Sequence, residues 1–102
     1  MWVVPDPTVG REQAGRRPAV VISGIDYLNT VETLAIVVPV TSVNRSWPNH
    51  IPLGDIELPH PSWAMTEQVR TISRARIVGR AGRVSASSLH ELRGWVRDFL
   101  DL

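Results

Sequence analysis

The amino-acid sequence predicts a small domain of the mainly β, α+β class: a compact, barrel-like antiparallel sheet of five to six short strands followed by one C-terminal helix. Three observations predict it. Short runs rich in β-branched residues recur along most of the chain, each bounded by turn formers. The apolar period then changes from two to about 3.6 residues after Val84. With 102 residues, 43% of them hydrophobic and 21% charged, the chain has the composition of one folded domain, neither disordered nor divided in two.

The elements follow in order. The first apolar run, Trp2 to Val4, stops at Pro5-Asp6-Pro7, because prolines have no N–H to give a strand ladder. Thr8 to Arg16 is polar and holds Gly10 and Gly15, so it reads as a loop. Pro18 to Ser23 and Leu34 to Thr41 read as central strands, each ending in a hydroxyl residue; Pro39 inside the second calls for a bulge or a position without a ladder bond. His50 to Leu53 and Trp63 to Ile72 read as two more strands, joined through the turn-rich Gly54 to Pro61. Val78 to Val84, punctuated by Gly79 and Gly82, is the last. Leu89, Leu92, Val96 and Phe99 then form one helical stripe, with Ser85 or Ser88 available as N-cap. Ser88 with Glu91 also has capping-box spacing.

Composition bounds the chemistry. Cysteine is absent, which removes disulfides, thiolate metal sites and thiol nucleophiles together. His50, His60 and His90 share no metal-ligand spacing and read as surface or packing residues, so neither a metal nor another cofactor is expected. No run approaches the roughly 18 apolar residues that span a bilayer, and Met1 to Pro5 lacks the length and charge of a signal peptide, so no membrane partner and a cytoplasmic location are expected. All 11 basic residues are arginine, although the net charge is only +1. Arginine's planar donor fork suits phosphates and stacks on bases, but a GC-rich genome produces the same bias.

The run Asp6-Pro-Thr-Val-Gly-Arg-Glu-Gln-Ala-Gly-Arg-Arg-Pro-Ala-Val-Val-Ile-Ser23 resembles the opening of the MazF/PemK toxins, Asp-Pro-X-X-Gly-X-Glu-Gln-X-Gly-X-Arg-Pro-Ala-Val-Val. Val38-Pro39-Val40-Thr41-Ser42 is similar to that family's Pro-hydrophobic-Thr-Ser/Thr segment, and Glu67-Gln68-Val69-Arg70-Thr71-Ile72 to its Asp-Gln-Val-Arg/Lys-Ser/Thr-Ile strand. The likeness covers nearly the whole chain. Two departures stand out: members carry further residues before the first strand, and many have aspartate where this chain has Glu67.

The resemblance implies an SH3-like, PemK-type fold over 1–102 as a single toxin domain. It implies the toxin half of a type II toxin–antitoxin pair: a homodimeric, metal-independent, sequence-selective endoribonuclease that inhibits translation and growth. Relatives cut single-stranded RNA by attack of the ribose 2′-OH, leaving a 2′,3′-cyclic phosphate and a 5′-OH. The implied protein partner is a cognate antitoxin whose acidic tail covers the same groove.

Three residues are then expected to be catalytic. Arg17 matches the family's essential arginine; its fork suits the oxygens of the phosphorane, and its permanent charge favours charge stabilisation over proton donation. Thr41 matches the second catalytic position, a hydroxyl that holds a phosphate oxygen. Glu12 is the carboxylate expected to take the 2′-OH proton or to fix Arg17. Gln13, Ser42, Arg45, Glu67 and Gln68 are the RNA-binding candidates, offering polar or charged groups to phosphates and base edges. Trp47 and Trp63 serve equally well as base-stacking surfaces or as packing residues. The arginines at 70, 74, 76, 80 and 83 make a basic face, as simple period-two exposure would. Two other readings stay open at this point: a gyrase-targeting toxin of similar fold, and a catalytically silent RNA-binding module.

Overall fold

A computed structural model describes residues 2–3, 17–54, 60–79 and 82–102. Its elements are β1 (Trp2–Val3), β2 (Arg17–Val21), α1 (Ile25–Thr30), β3 (Leu34–Thr41), β4 (His50–Pro52), β5 (Trp63–Met65), β6 (Arg70–Ser73), β7 (Ile77–Gly79) and α2 (Ala86–Phe99). All strand pairings are antiparallel. They make one 7-stranded sheet in the order β4-β5-β3-β2-β1-β7, with β6 also paired to β3. The path ends at β4 and β7, which do not pair among the described residues, so the sheet is open rather than closed. The predicted mainly antiparallel sheet with a C-terminal helix is the fold observed.

The expected strand from Trp63 to Ile72 is divided by a 3-10 turn, Thr66–Gln68, into β5 and β6. The cause lies on β3. Its Leu34–Val37 stretch pairs with β6 and its Val40–Thr41 stretch with β5, so the neighbour changes across Val38–Pro39. Pro39, with no N–H to offer, sits in that interval. The turn itself is fastened by Thr66, which is fully buried: its Oγ1 donates to Asn49 O at 2.8 Å and accepts from Asn49 Nδ2 at 3.2 Å. The final strand is shorter than expected, ending at Gly79, with an isolated bridge at Gly82. The expected loop from Thr8 to Arg16 lies outside the described residues.

Helix α1 has no counterpart in the sequence reading. Its six residues are too few to show a period, and Gly24 at its N-cap gives no side-chain hydrogen bond. Arg74, far along the chain, fastens the other end of the helix instead. Its Nη2 donates to the carbonyls of Leu28 and Val31, the latter at 2.9 Å, while Nε donates to Leu34 O at 2.9 Å. Arg74 is therefore structural, not part of an exposed basic face.

Alternation along β2 and β3 divides the apolar residues into two clusters. Val20, Ile22 and Val38 join Ile51, Leu53, Ala64 and, from α2, Leu92 and Val96. Ala19, Ala35 and Val37 gather with Ile72 in the second cluster, where Leu28 of α1 packs. Helix α2 starts where Ser85 accepts a hydrogen bond from Ser88 N, so Ser85 is the cap and Ser88 lies inside the helix. The middle of the predicted stripe is buried, whereas Phe99 at its end is exposed with its ring tilted against Trp95. No described helix is long and apolar enough to cross a membrane.

Candidate active site

The two strands that carry the leading candidates, β2 and β3, pair in the register Ala19↔Pro39, Val20↔Val38 and Val21↔Val37. Continued past the last paired residues, this register sets Arg17 across the ladder from Thr41, on the same face as Ala19 and Pro39. Arg17 opens β2 and is exposed, and Pro18 after it fixes the backbone at the strand start. Thr41 closes β3, half-buried and paired with Trp63. Its Oγ1 accepts from Val43 N–H at 3.1 Å, which leaves the hydroxyl hydrogen free to donate outward.

A cleft of about 100 Å³ lies beside Arg17, lined by Arg17, Pro18, Ala19, Pro39, Val40, Met65, Gln68 and Arg70; Thr41 follows Val40 in the chain but does not line it. Its floor is apolar, and its side-chain polar groups are two guanidinium groups and the Gln68 amide, a cationic rim suited to an anion. No described carboxylate pairs with Arg17 or Arg70. Arg70 is a site residue that the sequence reading placed only among a general basic set. The signal available was its position in the Glu-Gln-Val-Arg segment; the strand pairing that brings it to the cleft was not visible.

The remaining candidates fall into distinct places. Glu12 and Gln13 lie outside the described residues. Ser42 and Arg45 are exposed in the β3–β4 loop, residues 42–49. Arg45 Cζ stands 5.9 Å from the centre of the Trp47 ring, a cation–π contact, and Trp47 is 48% exposed. Ser46 before it takes a left-handed φ of 57°, held by Asn44 Oδ1, which accepts from Ser46 N–H at 2.9 Å. Gln68 lines the cleft, and its Nε2 donates weakly to Glu67 Oε2 at 3.4 Å.

Glu67 is exposed, yet its carboxylate is held in a cluster. Its Oε1 accepts from His50 Nε2 at 2.9 Å and from Asn49 Nδ2 at 2.9 Å, and His50 Nε2 also lies 3.1 Å from Oε2. Burial works against its charge, yet the His50 hydrogen bond and the backbone donor outweigh it and hold the carboxyl below its usual range. His50 is 5% exposed and packs against Trp47 with ring centres 4.8 Å apart. Its contact with the carboxylate puts a proton on Nε2, while Nδ1 is buried without a partner. His60 and His90 are exposed and line no part of the cleft. Among the described residues no three acidic or imidazole side chains converge as a metal site would need.

Comparison with known proteins identifies the family and the fold. Residues 1–100 match the family model described as PemK-like, MazF-like toxin of type II toxin-antitoxin system. The chain is 36% identical over 94 residues to the endoribonuclease toxin MazF of Escherichia coli (strain K12), covering 91% of this chain and 82% of that protein. It is also 36% identical over 111 residues to endoribonuclease MazF9 of Mycobacterium tuberculosis, covering 100% and 93%. Among solved structures, a MazE–MazF crystal structure from Deinococcus radiodurans superposes with a TM-score of 0.82 at 28% identity, over 99% of this chain and 90% of that one. A family match over nearly the whole sequence, relatives above 30% identity and a shared fold lead to one conclusion: the chain belongs to the PemK-like, MazF-like toxins of type II toxin–antitoxin systems.

Proposed function

We propose that this chain, residues 1–102 read as one toxin domain, is a toxin endoribonuclease that acts in the cytoplasm as a homodimer and cuts single-stranded RNA at a preferred short sequence. The observation that carries this reading is the cationic cleft at the joined ends of β2 and β3, with Arg17 and Arg70 on its rim and Thr41 at the adjoining strand end. A phosphodiester bridging that rim is held by charge on two sides. The 2′-oxygen of the preceding ribose attacks phosphorus as its proton is removed, the bond to the 5′-oxygen breaks and that oxygen takes up a proton from solvent, and the products are a 2′,3′-cyclic phosphate and a 5′-OH.

Arg17 supplies two parallel donors to the non-bridging oxygens, which gain charge in the phosphorane. Thr41 donates its hydroxyl hydrogen to one of them. Glu12 takes the 2′-OH proton or holds Arg17, and Gln13, Ser42, Arg45 and Gln68 grip flanking nucleotides. The protein partner is an antitoxin whose acidic tail competes for the same arginines; a MazF of Deinococcus radiodurans is known in complex with MazE.

The test incubates purified protein with defined single-stranded RNA in EDTA and maps both ends of each product. Cyclic-phosphate and 5′-OH ends, lost by about a hundredfold or more in Arg17→Ala, support the reading. Tight binding without cleavage points instead to a silent RNA-binding module, and indifference to RNA to a toxin that attacks a protein such as gyrase.

A further inference from the structure

Glu67 gathers donors from the consecutive pair Asn49 and His50 and, weakly, from Gln68 of its own turn. Asn49 ends the β3–β4 loop, His50 begins β4, and Gln68 belongs to the turn that walls the cleft. The same turn meets the loop a second time through the paired hydrogen bonds between Thr66 and Asn49. At its other end the loop is fastened by Thr41, whose Oγ1 accepts from Val43 N–H. Between those fastenings stand Arg45 and the half-exposed Trp47, whose ring rests against His50.

Stability alone gives a poor reason for this cluster. A partly buried ion pair yields little net stabilisation once desolvation is counted, and an apolar pair of similar volume is often as stable. His50 also leaves Nδ1 buried without a partner, a cost of about 1–3 kcal/mol that an apolar residue would not incur. What the cluster offers is direction: a carboxylate with several donors fixes the angle between the segments that supply them. Its Oε1 is already committed to two protein donors, so it is poorly placed to read a base edge.

We infer that Glu67 is a positioning residue that locks the Arg45–Trp47 loop to the Gln68 wall of the cleft, so that loop and cleft hold consecutive nucleotides as one rigid surface. The inference rests on the proposed ribonuclease reading. Trp47 offers a flanking nucleobase a stacking face, with Arg45 beside it for the phosphate, and Glu67 fixes where that base lies relative to the cut bond.

The test compares the parent with Glu67→Gln, in which an NH2 group meets the Asn49 and Gln68 donors, and with Glu67→Asp, which keeps the charge. Each is assayed on a decamer containing the preferred site and on a trinucleotide that spans only the cut bond. In Glu67→Gln the decamer KM should rise about tenfold and that of the trinucleotide less than about threefold, with Glu67→Asp recovering much of the loss. Acrylamide quenching of Trp47, isolated by subtracting a Trp47→Phe sample, should increase in Glu67→Gln. Asn49→Ala, which removes one donor from the loop side, should move both readouts in the same direction if Glu67→Gln folds poorly.

Equal KM changes on both substrates, or Trp47 quenching equal to the parent's, would overturn the inference. So would a loss confined to kcat and equal for both substrates, since Glu67 would then act in the chemistry. If the parent cuts no RNA, the ribonuclease reading fails separately, and Trp47 quenching still decides whether Glu67 holds the loop.

Discussion

Replacing Arg70 with alanine separates binding from chemistry at this cleft. Arg70 and Arg17 share the rim, so each is expected to neutralise backbone phosphate, but only Arg17 lies across the ladder from Thr41. For single-stranded nucleic acid, each phosphate contact contributes about −0.7 to the slope of log affinity against log salt. Arg70→Ala should therefore flatten that slope by about 0.7, so the parent loses roughly 2.6-fold more affinity than the variant between about 50 and 200 mM salt. Because Arg70 is exposed, the direct loss of attraction is modest, about 1 kcal/mol or fivefold in affinity. The assay is fluorescence anisotropy with an oligonucleotide made uncleavable by a 2′-deoxy sugar at the cut site, read alongside cleavage of the all-ribose form. Arg17→Ala should flatten the slope to a similar degree and in addition lower kcat by about a hundredfold or more. Arg70→Ala should act chiefly on KM. An unaltered salt slope in both variants would show that the cleft does not hold the RNA backbone.

Three further outcomes are expected. Leu92 is fully buried against the larger apolar cluster, so Leu92→Ala should cost about 3–5 kcal/mol in urea unfolding; a cost under about 1 kcal/mol would mean that α2 does not pack as described. Thr41→Val keeps the branched shape and removes the hydroxyl, and should lower kcat by about a hundredfold while Thr41→Ser retains most activity; equal activity of the two would remove the hydroxyl from the mechanism. Glu67 is held below its ordinary value of 4.5, so folding favours its ionised form. Its contribution is complete above that value and disappears as pH falls through the lower folded value, so the stability difference between parent and Glu67→Gln should narrow on acidification; denaturation at a series of pH values that shows it widening would contradict the assignment.

Features repeated along the chain were legible before any coordinates. The β-branched runs at Pro18 to Ser23 and Leu34 to Thr41 became the two central strands, and the Leu89–Leu92–Val96 stripe became the buried side of α2. Even the irregularity at Pro39 followed from a missing N–H. What escaped was whatever depends on partners distant in sequence. Helix α1 is completed by Arg74, 46 residues beyond Leu28. The break between β5 and β6 follows from β3 exchanging neighbours, which no local pattern records. His50 read as a packing residue, and so it is, but its partner Glu67 comes 17 positions later across a strand pair and a turn. The proposed site divides the same way: Arg17 and Thr41 are candidates through motif likeness, whereas the placing of Arg70 at the cleft needed the sheet.

Under the proposed function, the alternation of β2 and β3 sets the larger apolar cluster on one face and the cleft, beside the smaller cluster, on the other. Val20 and Val38, on one face, pack toward Leu92 and Val96 of α2. Ala19 and Pro39, on the other, line the cleft, and Arg17 and Thr41 continue that face to the strand ends. Stacking of small or rigid residues there matters: alanine and proline leave room for a ribose-phosphate, where a larger side chain would fill the same space. A guanidinium mounted on the first residue of a strand has its backbone fixed by Pro18 and its neighbour fixed by the ladder. Only side-chain torsions remain to be ordered when a phosphate arrives, so the two apolar clusters supply the preorganisation that the proposed site uses.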